Sequence, residues 1–112
     1  MGWLDRIFPG LKKPATPPVV AAAKTESGES IPPAKVGLNG EFDESGLAKR
    51  VVVAFDDDAQ LDDVETLWVA QLSSKVVLKG KVPSQAILDK AVSVASGVEG
   101  ATEVDTSGVT VG

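Results

Sequence analysis

The chain has 112 residues, a formal net charge of −5, and neither cysteine nor histidine. This length holds one compact domain plus a tail, because domains usually span roughly 50–200 residues. The missing residue types exclude thiol nucleophiles, zinc sites built on thiolate or imidazole, and the usual general base near neutral pH. The acidic balance argues against a nucleic-acid partner, which would require a basic patch.

The first thirteen residues form a candidate docking segment. Spacings of four residues between bulky apolar side chains predict an apolar stripe on a two-turn helix. Two lysines follow this stripe, and the combination is typical of a segment that rests on a membrane surface or docks in a partner's groove. A frayed tail and a staple onto the domain's own surface are the alternatives. The residues concerned are Trp3, Leu4, Ile7, Phe8, Lys12 and Lys13.

Residues 14–41 have the composition of a linker. They are rich in proline, alanine, serine, glycine and lysine, and they show no sustained apolar period. This pattern predicts a disordered arm between the docking segment and a folded domain over residues 42–112.

The chain lacks the sequence signals of a membrane span and of secretion. Its apolar run near the start is far shorter than the about 20 residues that a spanning helix needs. The N-terminus has an early acidic residue, Asp5, and a break at Pro9, unlike a secretory signal. We therefore expect a cytoplasmic protein, attached peripherally to a membrane if its docking segment binds lipid.

The folded domain is predicted to begin with a helix between Glu44 and Phe55. One apolar face, with Lys49 and Arg50 outside it, follows from helical spacing. The apolar positions are Ala48, Val51, Val52 and Phe55.

A β-hairpin is predicted next, with strands over residues 67–72 and 75–82 joined by a two-residue turn at Ser73 and Ser74. Such a turn places Val69 opposite Leu78, and opposite residues share a face. The side chains expected to face the helices are Leu67, Val69, Val76, Leu78 and Val82.

A second helix and a third strand complete the prediction. Ser84 is the expected N-cap of the helix, and Gly97 lies where a C-cap belongs. Its apolar positions are Leu88, Ala91, Val92 and Ala95. The last strand covers residues 102–111, with a bulge before Val109. The predicted fold is α+β in two layers, an αββαβ order with two helices on one face of a three-stranded sheet.

This fold leaves the other face of the sheet open. A tryptophan among three lysines there, on an acidic protein, is a candidate surface for anionic headgroups or an acidic partner. A solvated face whose lysines discourage edge pairing is the alternative. The candidate residues are Trp68, Lys75, Lys79 and Lys81.

The stretch from Lys75 to Val111 resembles the BON family, named for bacterial osmotically inducible and nodulation proteins. The resemblance lies in the strand Val76-Val77-Leu78-Lys79-Gly80-Lys81-Val82, the helix beginning at Ser84-Gln85-Ala86, the turn Gly97-Val98-Glu99-Gly100 and the return strand ending Val109-Thr110-Val111. It implies the family's αββαβ fold and a binding module without catalytic residues, linked to phospholipid membranes or cell-envelope stress. A relative that joins BON to a LysM domain binds potassium.

Two functions are therefore expected as alternatives. The first is a non-catalytic adaptor tethered by its N-terminal segment to a membrane surface or protein complex. The second is a sensor of a small ligand or an ion such as potassium. No cofactor, catalytic residue or metal site is predicted. The acidic run of Asp56, Asp57, Asp58, Asp62 and Asp63 lacks the EF-hand spacing, and a solvated loop is the better interpretation.

Overall fold

The computed structural model describes Ile7 and residues 31–38, 41–58, 60–61, 64 and 66–112. Most of the predicted docking segment and residues 14–30 of the predicted linker lie outside the described residues. A short 3-10 turn at Pro33–Lys35 comes first. The elements that follow are helix α1 (Gly46–Asp56), strands β1 (Leu67–Leu72) and β2 (Lys75–Val82), helix α2 (Gln85–Ser96) and strand β3 (Glu103–Val111).

The strands of the described residues form one mixed sheet in the order β1-β2-β3. β1 and β2 pair antiparallel, whereas β2 and β3 pair parallel. Helix α2 makes the crossover that a parallel pair requires. The predicted α+β class, with two helices and a three-stranded sheet, is therefore confirmed for the described residues.

The register of the hairpin is the one predicted. Leu72 pairs with Lys75 and Val69 with Leu78, around a turn in which Ser73 takes a left-handed backbone (φ 56°). Positive φ at a turn residue matches the twist of the flanking strands. All five side chains predicted to face the helices are buried.

The hydrophobic core lies between this sheet face and the two helices. It is a single cluster that joins the inner residues of β1 and β2 to both helices. The predicted apolar face of α1 is wholly buried, and in α2 Leu88, Ala91 and Ala95 are buried while Val92 is half-buried. The hydroxyl of Ser84 caps α2 by accepting a hydrogen bond from the Ile87 N–H at 3.4 Å.

The predicted start of the domain at residue 42 is wrong. Ile31, Ala34, Val36 and Leu38 are all buried, and Val36 forms an antiparallel bridge with Phe42. Residues 31–38 therefore belong to the folded domain, not to the linker. Their packing depends on tertiary contacts, so a search for local periodicity does not detect it.

The prediction that Arg50 lies outside the packed face of α1 is also wrong. Arg50 is only 8% exposed. Its Nε donates to the Val36 carbonyl at 2.8 Å, and its Nη1 donates to the Glu99 carbonyl. Burial lowers the pKa of Arg50 below its ordinary value, and the charge of Glu99 offsets only part of this effect. Carbonyl acceptors make a buried guanidinium tolerable, and here they join residues 31–38 and the α2–β3 turn to α1.

Gly80 marks a close approach of two backbones, as its position in mid-strand predicts. It has a φ of +115°, and a Cβ there would lie 2.2 Å from the Thr66 carbonyl oxygen. The same Thr66 carbonyl accepts a hydrogen bond from the Lys81 N–H at 3.0 Å. A side chain at residue 80 would force this junction apart.

Replacing Gly80 by alanine should lower the free energy of unfolding by at least about 2 kcal/mol, because it adds backbone strain and a clash. Gly97→Ala is the matched control, since φ is −83° and the nearest atom to a new Cβ is at 3.5 Å. That control should be neutral or slightly stabilising. Urea unfolding of both variants decides, and equal midpoints would contradict the close approach.

Replacing Val36 by alanine should cost about 2 kcal/mol of stability, because Val36 is fully buried and its loss leaves a cavity. Val111→Ala removes the same atoms from a residue that is 41% exposed and should cost much less. If the two variants unfold at the same urea concentration, residues 31–38 are not part of the core.

Candidate functional site

The open face of the sheet begins with an apolar row on β1. Trp68 is 51% exposed and Leu72 is 66% exposed, and Ala70 lies between them on the same face. The two-residue turn sets the outward direction of these side chains, because a shift of the strand register by one residue would turn all three toward the core. Within the described part of the chain, both helices pack on the opposite face.

The second row of the open face is basic and lies on β2. Lys75, Lys79 and Lys81 alternate with the buried residues of the strand. Lys79 is paired across the hairpin with Trp68, and Lys75 with Leu72. The structure therefore brings together all four residues that the sequence proposed for this face.

A third row, on β3, is acidic and was missed by the sequence analysis. Glu103 is in register with Lys75 and Asp105 with Val77, so both acids belong to the open face. The Lys75 Nζ lies 3.2 Å from a Glu103 carboxylate oxygen. The crossover helix could have predicted the position of these acids, because it makes β3 parallel to β2 and so aligns the first residues of the two strands.

Asp105 is held in its ionised form. The Ser107 N–H donates to its Oδ1 at 2.9 Å. The hydrogen bond from this backbone N–H, then the Ser107 side chain, and to a smaller extent the charges of Lys75 and Lys79, lower the pKa of Asp105 below its ordinary value. The bulge predicted before Val109 makes this turn possible, because β3 has one more residue than β2 between the pairs Val77–Asp105 and Lys79–Gly108.

A groove of about 650 Å³ runs beside the open face, between β1 and the start of α1. Ala48 and Val69 supply apolar lining, whereas Lys35 and Glu44 supply charges. Ile7 also lines this groove. It is helical and half-buried, and it packs against the hydrophobic core. The other five residues predicted for docking, Trp3, Leu4, Phe8, Lys12 and Lys13, lie outside the described residues.

Gln71 fixes the wall of this groove, a role that has no signal in the sequence pattern. Its side-chain oxygen accepts a hydrogen bond from the Ala48 N–H at 2.8 Å. Its amide nitrogen donates to the Ala34 carbonyl and to the Ser73 carbonyl, both at 2.9 Å. One inward-pointing amide thus connects β1 to α1 and to residues 31–38.

The acidic run that begins at the end of α1 is described only in part. Asp58 pairs with Lys90 of α2 at 3.3 Å, and Asp62 and Asp63 lie outside the described residues. Considering only described residues, no group of three or more acidic side chains is placed to hold a metal ion. In the same part of the chain, none of the helices is long and apolar enough to cross a membrane.

The pKa of Asp105 should rise when its local partner is removed. We expect Ser107→Ala to raise it more than Lys79→Ala does, because the side-chain hydrogen bond contributes more than the more distant charge. Since the folded pKa is lowered, the stabilising contribution of Asp105 is present above its unfolded pKa and is lost as the pH falls through the folded value. NMR titration of the Asp105 carboxyl measures both variants, and the reverse order would contradict this account.

The comparisons with known proteins assign no family to this chain. No protein-family model matches it, and no curated protein matches it well enough to count as a relative. The resemblance to the BON family therefore stays a prediction from the sequence. Two surfaces therefore bear on function, the open face and the groove beside it.

Proposed function

We propose that the chain is a non-catalytic binding module and that the open face of its sheet contacts a protein partner. The observation that carries this proposal is the exposed apolar row of Trp68 and Leu72, which lies directly beside the three lysines of β2. The BON-like character expected from the sequence is part of the same proposal. The element order and the close approach at Gly80 support it.

The apolar row has the composition of an interface centre. Tryptophan is enriched among the residues that dominate binding energy, and exposed apolar patches mark interaction sites. Trp68 lies beside Leu67, which is fully buried, so the backbone that carries it is held by the core. A partner that covers Trp68 would bury a large apolar area at little cost in backbone ordering.

The charges of the face favour a protein over a membrane. Glu103 and Asp105 lie on the same surface as the three lysines. The two carboxylates cancel two of the three positive charges, so the net charge of the face is a single positive charge. A polybasic surface gains about 1 kcal/mol per lysine or arginine at an anionic bilayer, and the two acids would offset most of that gain. A protein surface can instead place acidic groups over β2 and basic groups over β3.

The titratable groups of the face support a role without catalysis. Asp105 has a lowered pKa, which makes it a poor general base or acid near neutral pH. Arg50, the other described residue with a shifted pKa, is occupied by backbone carbonyls. Attachment through the N-terminal segment is a separate hypothesis, because Ile7 packs against the domain itself.

Photocrosslinking in cells of the native host tests this proposal. Benzoylphenylalanine replaces Trp68 in one full-length variant and Ala86, an exposed residue of α2, in the control. We expect a discrete protein adduct at residue 68 only. Lys79→Glu combined with Lys81→Glu should reduce that adduct about tenfold or more, because it reverses two charges facing an acidic partner. Lys90→Glu on α2 should leave it unchanged.

The contrary outcomes are distinct. Equal adducts at residues 68 and 86 would show that the open face has no special role. Adducts with lipid but not protein, together with co-sedimentation on vesicles of phosphatidylglycerol and phosphatidylcholine, would assign the face to the membrane. An adduct between two copies of this chain would assign it to self-association. Each of these results overturns the proposal that the open face binds a different protein.

A further inference from the structure

One wall of the groove beside β1 is formed by an apolar side chain from a distant part of the chain. Ile7 lines it together with Ala48 and Val69, although residues 8–30 separate Ile7 from the first residue of the folded domain, Ile31. Ile7 is helical and half-buried. The contact is therefore tertiary, and it is made by a residue that the sequence assigns to the apolar stripe of the docking segment.

The groove is suited to an inserted aliphatic side chain. Ala48 and Val69 are buried members of the core, so the groove opens directly onto the apolar interior. Lys35 and Glu44 provide both signs of charge in the lining. The chain carries Asp5 and Arg6 immediately before Ile7, so complementary charges are available on both sides.

The geometry of β1 favours a side chain over an added strand. β1 is an edge strand of the sheet formed by the described residues, and edges of this kind can accept another strand. Here Gln71 reaches from β1 to Ala34 and Ala48 through two hydrogen bonds. A strand pairing alongside β1 would meet this bridge, whereas a helix can insert one side chain next to it.

We propose that this groove is a docking site for the chain's own N-terminal segment, with Ile7 as the anchoring side chain. The segment is then an intramolecular ligand of the domain and not a free arm that binds elsewhere. The covalent connection through residues 8–30 makes this feasible, because linking two binding elements turns their association into an intramolecular event with a raised effective concentration. A weak contact is occupied under those conditions.

The docked segment lies next to the open face. Ala70 and Leu72 line the groove and also belong to the apolar row of the face. A partner bound to the open face would therefore contact residues that line the groove together with Ile7. The docking of the N-terminal segment does not depend on whether the open face binds a partner. Either proposal can therefore fail without the other.

Methyl NMR of the full chain tests the docking. The isoleucines of the chain are Ile7, Ile31 and Ile87, so combined labelling of isoleucine, alanine and valine methyls gives three isoleucine signals. We expect nuclear Overhauser effects from the Ile7 methyl to the methyls of Ala48 and Val69, unchanged over a tenfold dilution. A signal without these effects would overturn the proposal. Effects seen only between differently labelled copies would do the same, because they would make the occupant a second copy.

A pair of matched variants makes the test specific. Ile7→Asp should shift the amide signals of Ser45, Gln71 and Ser73, which line the groove. Amides of Val77 and Lys79 in the central strand should stay unchanged, which shows that the domain remains folded. Leu11→Asp makes the same change of charge and of apolar character in the same segment and should leave the groove amides unchanged. Equal effects of the two variants, or no effect of either, would contradict Ile7 as the anchor.

Discussion

The two-residue turn at Ser73 and Ser74 is the constraint on which the arrangement of this domain depends. It sets the register Val69 to Leu78, which sends every second side chain of both strands into the core. Because the side-chain period of a strand is two, a slip of one residue would bury the lysines and expose the valines. The core and the open face are thus two consequences of one turn.

The hairpin turn, the core-facing sides of the hairpin and of both helices, and the Ser84 cap could be predicted from the sequence because local patterns specify them. Alternation defines the hairpin, helical spacing defines α1 and α2, and Ser84 caps α2 as its position predicts. The start of the domain could not be predicted in this way. Residues 31–38 are held by their buried apolar side chains and by carbonyls that accept hydrogen bonds from Arg50 and Gln71. Acceptors of this kind are present in every residue, so no sequence pattern distinguishes them.

The open face shows the same division between local and non-local information. Its tryptophan and lysines follow from the hairpin alone, whereas the acids of β3 depend on a parallel pairing with a bulge. Without Glu103 and Asp105 the face is basic and would fit an anionic membrane. With them it is a surface of three adjacent rows, apolar, basic and acidic, and the partner that we propose has a complementary pattern of charges.

Strand β1 connects the two surfaces, because it contributes to both. Its outward side chains Trp68 and Leu72 form the apolar row, while Val69 and Gln71 point inward and shape the groove that Ile7 lines. The strand is held on one side by β2 and on the other by the Gln71 hydrogen bonds to Ala34 and Ala48. A substitution that weakens those hydrogen bonds would disturb both the wall of the groove and the backbone that carries Trp68. Residues 31–38, which the sequence pattern assigns to a linker, therefore help to form the wall of the groove and to hold the strand that carries Trp68.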